Sequence, residues 1–164
     1  MKNWFPALVV IASIAAGPAG TGAADAPPPD RDLRLPPDLT EILRAEMREI
    51  ASGVQGVTLS LATADWKAIQ DTSARIRASY IMEKQLTAAQ ARELERALPE
   101  QFRLLDAEFH QRAGQLGAAA AAKDAELAVF HFSRLLESCS RCHSRYATGR
   151  FPGFAPVTPP DHGH

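Results

Sequence analysis

The sequence predicts an all-α protein, an antiparallel up-down-up-down four-helix bundle over residues 38–148. Three observations carry that prediction. Apolar residues recur at steps of three and four through most of the span, the spacing that places them on one face of a helix. Proline, whose ring and missing N–H break helices, is absent from the span except at Pro99. Sustained alternation of apolar and polar residues, the mark of a half-buried strand, is nearly missing. Helices of roughly twenty residues joined by short connections pack as antiparallel neighbours.

The first helix is signalled by "PPDLTEIL", where Asp38 is the expected cap and Glu41 completes a capping box. Leu39, Ile42, Leu43, Met47, Ile50, Val54, Val57 and Leu61 then share a face up to about residue 62. Gly53 and Gly56 interrupt it, and small residues on an inward face let something bulky approach the backbone. "TAD" before Trp66 reads as a turn and a cap. The second helix is expected over about residues 65–84, although Trp66, Ile69, Ser73, Ile76, Tyr80 and Glu83 make a narrow apolar stripe. Thr87 and Gln90 form a second capping box, opening a short helix to Leu98. Pro99 followed by Glu100 suits the first turn of the third main helix. That helix carries Phe102, Leu105, Phe109, Ala113 and Leu116 inward and ends in the alanine run at 118–122. Asp124 caps the fourth, along which Ala128, Phe132, Leu135, Cys139, Cys142, His143 and Tyr146 fall on one side.

With 164 residues, 46% of them hydrophobic, the chain is long enough for one domain with a sizeable core. A formal net charge of −1 and no run of Lys or Arg argue against a nucleic-acid partner. Residues 1–24 have the form of a cleaved signal peptide: Lys2, the apolar stretch "WFPALVVIASIAA", then small residues with Gly22 and Ala24 at the expected cleavage positions. The apolar run is shorter than the ~20 residues that cross a bilayer, so the mature form is expected in the periplasm with no membrane span. Residues 25–37 read as a Pro-rich leader and 149–164 as a flexible Pro-rich tail.

The chemistry concentrates in "CSRCH", residues 139–143, which holds both cysteines of the chain. On a helix, positions i, i+3 and i+4 project to one side. Two thiols so placed can add to the two vinyl groups of one haem, with the next residue reaching its iron. This C-x-x-C-H pattern is the attachment signature of haem c, here one per chain. Competing readings are weaker. Structural zinc needs about four protein ligands, and no second Cys or His pair stands at suitable spacing. A thioredoxin-like dithiol expects a βαβ setting. A haem-free helical interaction or metal-handling protein would need the pentapeptide to be a coincidence.

The export leader, four helices and a late "CSRCHSRY", with Tyr146 three residues after the histidine, resemble the class II cytochromes c, the cytochrome c′ family. The resemblance covers residues 38–148. It implies a haem packed inside the bundle, thioethers to Cys139 and Cys142, and His143 as proximal iron ligand. It also implies that Met47, on the first helix, is the distal ligand, as in six-coordinate members that carry electrons between redox partner proteins. A filler role for Met47 in the core is the alternative, and it leads to a five-coordinate iron that binds nitric oxide or carbon monoxide. Homodimers through the first two helices occur in the family, and no enzymatic turnover is implied. Two positions depart from the family pattern: Leu43 and Ala147 stand where relatives carry basic residues. Arg44, Arg75 and Arg77 are candidates for haem propionates, and Met82 is a weaker distal candidate.

Overall fold

The computed structural model describes residues 32–155, and within them the protein is all-helical, with no strand. The expected signal peptide at residues 1–24, leader residues 25–31 and tail residues 156–164 lie outside the described residues. The helices are α1 (Pro37–Ala62), α2 (Trp66–Arg77), α3 (Met82–Gln85), α4 (Ala88–Ala97), α5 (Glu100–Ala121) and α6 (Ala125–Tyr146). A short 3-10 turn, Pro152–Phe154, follows.

α1 opens differently from the expected capping box. Pro36 occupies the cap and Pro37 the first turn, where a missing N–H costs nothing. Asp38 therefore sits inside the first turn, and its carboxylate accepts from Gln90 Nε2 at 3.0 Å, tying α1 to α4. Three other expected caps are present. Asp65 accepts from the Ala68 N–H at 3.0 Å, Thr87 and Gln90 form the reciprocal box, and Asp124 accepts from the Leu127 N–H at 2.9 Å. Pro99 is the cap of α5.

The expected second helix, running to residue 84, ends instead at Arg77. Ser79 adopts a left-handed φ of 54°, and the next three backbone N–H groups turn toward α1. The Glu46 carboxylate, 2% exposed, accepts from the N–H groups of Tyr80, Ile81 and Met82 at 2.8, 2.6 and 3.2 Å. These donors would otherwise have bonded back along α2, so an acceptor on another helix has replaced the helical ones. Tyr80 then lies against α1: a Cβ on Gly53 would stand 2.4 Å from its phenol oxygen.

The inward line of α1 is accordingly Leu39, Leu43, Glu46, Ile50, Gly53 and Val57, at steps of four and three. Met47 lies one residue off that line and is 39% exposed.

One buried core joins Val57 of α1, Ile69 and Ile76 of α2, Ala113 and Leu116 of α5, and Leu135 of α6. α5 packs extensively on both α2 and α6, α1 packs on α2, and α1 meets α6 only sparsely. The α2–α5 seam is tight because its residues are small. A Cβ on Gly117 would come 3.1 Å from the Ser73 Cβ. Between α5 and α6 the buried Arg112 donates to the Arg134 carbonyl, to Glu108, and to Glu137 at 3.3 Å. Glu108 also accepts from Arg141 at 2.8 Å, so the buried charge is fully paired. A second, smaller cluster of Phe102, Leu105 and Tyr146 takes in Leu33, Leu98 and Cys142.

Replacing Glu46 with alanine strands three N–H groups, and the expected loss is about 2–4 kcal/mol in urea unfolding. Glu46→Gln keeps one acceptor oxygen and should lose about half as much. Equal stability of both variants and the parent would contradict this account of the α2 terminus.

Candidate functional site

The last two turns of α6 carry Cys139, Cys142, His143 and Tyr146. Helical spacing sets the two sulfurs one turn apart, and the structure leaves both cysteines free and half-buried. Cys139 Sγ rests 3.7 Å from the Leu135 carbonyl. Cys142 packs into the cluster of Phe102, Leu105 and Tyr146, where the Phe102 and Tyr146 rings meet edge to face at 5.3 Å. Burial raises the pKa of both thiols. Cys142 is pushed up to about 11, with the Asp106 carboxylate adding to the effect. Both are therefore protonated at neutral pH.

His143 is half-buried, and its ring stacks on Phe151 with centroids 4.6 Å apart and planes 22° from parallel. Burial lowers its pKa, and the nearby Arg150 cation lowers it further. The imidazole is thus held neutral, the form that binds a metal. The segment before α1 pairs with the end of α6 and the residues just after it. Leu33 N–H donates to the Tyr146 carbonyl at 2.9 Å, Asp32 bridges to Ala147, and Gly149 N–H donates to Asp32 Oδ1 at 3.2 Å.

Met47 lines a cleft of about 140 Å³ bounded by α1, the turn after α2, α4 and α5. Met82, Phe102, Asp106 and His110 share that lining, while Cys139, Cys142 and His143 fall outside it. The two regions meet at Phe102, which lines the cleft and also packs against Tyr146 and Cys142. His110 Nδ1 lies 2.8 Å from the Ile76 carbonyl, within hydrogen-bond reach, and Nε2 lies 3.6 Å from the Asp106 carboxylate, an ion-pair distance. Asp106 raises its pKa against the opposing effect of burial. His131 lies edge-on to Phe130 at 5.3 Å. Of the propionate candidates, Arg44 is paired with Glu41, Arg75 reaches Thr72 and the Tyr80 ring, and Arg77 lies against Gly114.

The donor set suits a covalent haem: two adjacent thiols that no disulfide has consumed, beside a neutral imidazole. The cleft is smaller than the roughly 300 Å³ at which ligand pockets begin, and with the C-x-x-C-H residues outside its lining it is not a preformed haem pocket. α1 and α6, which carry Met47 and the C-x-x-C-H group, meet only sparsely. Among the described residues no three His, Cys, Asp or Glu side chains converge as a metal cluster, and no helix is long and apolar enough to cross a membrane. Comparison of the chain with protein-family models, curated proteins and solved structures gives no match.

Two residues of the site escaped sequence reasoning. Glu46 carried a legible signal, a carboxylate on the apolar line of α1. Phe151 carried none, since it sits in a Pro- and Gly-rich segment without periodicity.

In the folded, haem-free chain Cys142 holds about a hundredfold less thiolate at pH 8 than an ordinary thiol, partly offset by the greater nucleophilicity of a more basic thiolate. Its alkylation by iodoacetamide should run about tenfold slower than in urea. The folded-state pKa is raised, so stability from the protonated thiol is complete below the ordinary thiol range and is lost as pH rises through about 11. Equal alkylation rates, folded and unfolded, would show that the thiol is not held in an apolar site.

Proposed function

We propose that the chain is a periplasmic monohaem c-type cytochrome that passes single electrons between redox partner proteins after its signal peptide is removed. Its helices are read as an antiparallel up-down-up-down four-helix bundle of α1, α2, α5 and α6, with α3 and α4 as an excursion between the second and third. The order of packing supports this: α1 on α2, α2 on α5, α5 on α6, each helix against the next in the chain. One haem c is held through thioethers to Cys139 and Cys142, with His143 as proximal ligand and Met47 as distal ligand.

The observation that carries the proposal is the pair of free, half-buried thiols one helical turn apart, followed directly by an imidazole held neutral by burial. When bound, the haem supplies a one-electron iron couple. The residues of this chain do the rest. Cys139 and Cys142 prevent dissociation, and His143 presents a neutral ring nitrogen without first having to lose a proton. Phe102, Leu105 and Tyr146 keep water from the motif. A Met47 thioether on the opposite side favours the reduced state and spares the iron a change of coordination between its redox states. A homodimer is compatible with this reading.

A second reading has one observation in its favour. Met47 is 39% exposed and Glu46 takes the buried place beside it, so the thioether is not pinned by packing. In that reading the iron is five-coordinate and binds nitric oxide or carbon monoxide.

Haem staining of the exported protein on a denaturing gel should give a band at the mass of the chain. A colourless protein, made beside a working cytochrome maturation system, rejects both cytochrome readings. With Met47 as ligand, the oxidised protein is low-spin, and Met47→Ala converts it to a high-spin form that binds carbon monoxide on reduction. A low-spin spectrum that survives Met47→Ala rejects the distal assignment.

A further inference from the structure

We infer that Phe151 is a positioning residue for the His143 imidazole, held in place by a clasp between the leader and the tail; the inference rests on the haem reading above. A metal-bound imidazole can swing about its bond to the metal, and a hydrogen bond to its second ring nitrogen ordinarily fixes the plane. Among the described residues His143 makes no such bond. Its ring instead lies against Phe151, at 4.6 Å and 22° from parallel. An imidazole that bound a metal would do so through a ring nitrogen at its edge, so its flat faces would remain free to stack, and Phe151 covers one of them.

Local sequence makes room for this ring. Position 147 lies one helical turn beyond His143 and would crowd the imidazole if it were large. It is Ala147, whose carbonyl accepts from the Phe151 N–H at 2.9 Å and so folds the tail back. Asp32 fastens the other side. It bridges to Ala147 and accepts from the Gly149 N–H at 3.2 Å, and a side chain at position 149 would strike its carboxylate. Arg150, whose guanidinium lies 5.7 Å from the Phe151 ring centre, covers the ring further. Phe151 thus limits rotation of the imidazole and shields its edge from water.

The test compares Phe151→Leu, Phe151→Trp and Asp32→Ala with the parent as haem-loaded full chains. Phe151→Leu should alter the ferric EPR spectrum and lower the reduction potential, because water reaching the imidazole edge favours the more charged ferric state. Phe151→Trp, which keeps an aromatic face, should restore both, and Asp32→Ala should shift both in the direction of Phe151→Leu but less. In the full chain made without haem, the His143 ring protons should move downfield in Phe151→Leu as the ring-current shift is lost. A loaded Phe151→Leu protein with parental EPR spectrum and potential overturns the inference, as does a Phe151→Trp protein equally perturbed. Should Phe151→Leu not accumulate, a parental EPR spectrum in Asp32→Ala overturns it. Failure of the cytochrome reading is told apart by a parent chain that takes no haem stain. Unmoved His143 protons in the haem-free Phe151→Leu chain would still overturn the stack itself.

Discussion

A carboxylate buried inside a helical protein must be satisfied or neutralised, and the way Glu46 is satisfied shapes everything on its side of the molecule. It accepts three consecutive N–H groups from residues 80–82, so α2 cannot continue past Arg77. The chain therefore leaves the α2 axis, lays the Tyr80 side chain against Gly53 of α1, and returns through α3 and α4, where Gln90 fastens to Asp38 at the start of α1. Met82, Leu94 and Leu98 arrive opposite α1 by that route and wall the cleft. Successive helical residues lie about 100° apart. With Glu46 facing inward, Met47 is thereby turned to the mouth of the same cleft.

How much of this was legible follows from where the information is stored. Helix starts at Asp65, Thr87 and Asp124 are local, each written in a side chain three residues before the N–H that it caps, and the sequence discloses them. The C-x-x-C-H group is equally local, because its spacing fixes its face. The end of α2 is not local. Its acceptor lies more than thirty residues upstream, on a helix whose apolar pattern admitted Met47 and Val54 as readily as Glu46 and Gly53. Steps of four and three from Leu39 to Val57 through Glu46 are the better fit, and a carboxylate there was the clue that α1 had a polar partner to serve. The clasp is less legible still, since it joins residues 32 and 149 through backbone groups that carry no side-chain signature.

The electrostatics of the motif follow from the same burial. The cluster of Phe102, Leu105 and Tyr146 removes water from Cys142, and loss of solvation disfavours thiolate and imidazolium alike. Burial of each group, not one shared cluster, keeps the thiols protonated and the imidazole unprotonated. In an oxidising compartment protonated thiols form a disulfide slowly, because the attacking species is the thiolate. A haem-free chain so arranged would keep both sulfurs available for a later attachment step.

On the proposed reading a porphyrin needs more room than the cleft holds, and the packing bears on where that room lies. The α2–α5 seam cannot open cheaply, because Gly117 and Ser73 are already at contact distance and separating them would create an empty slot between two helices. The α5–α6 seam is held by Arg112, whose partners sit on both helices and whose exposure without them would leave a buried charge unpaired. Among the described residues α1 and α6 meet only sparsely. Those are the helices that carry Met47 and the C-x-x-C-H group, the two sides between which the proposed reading puts a haem. Glu46, by contrast, fastens α1 to the 80–82 segment through three hydrogen bonds.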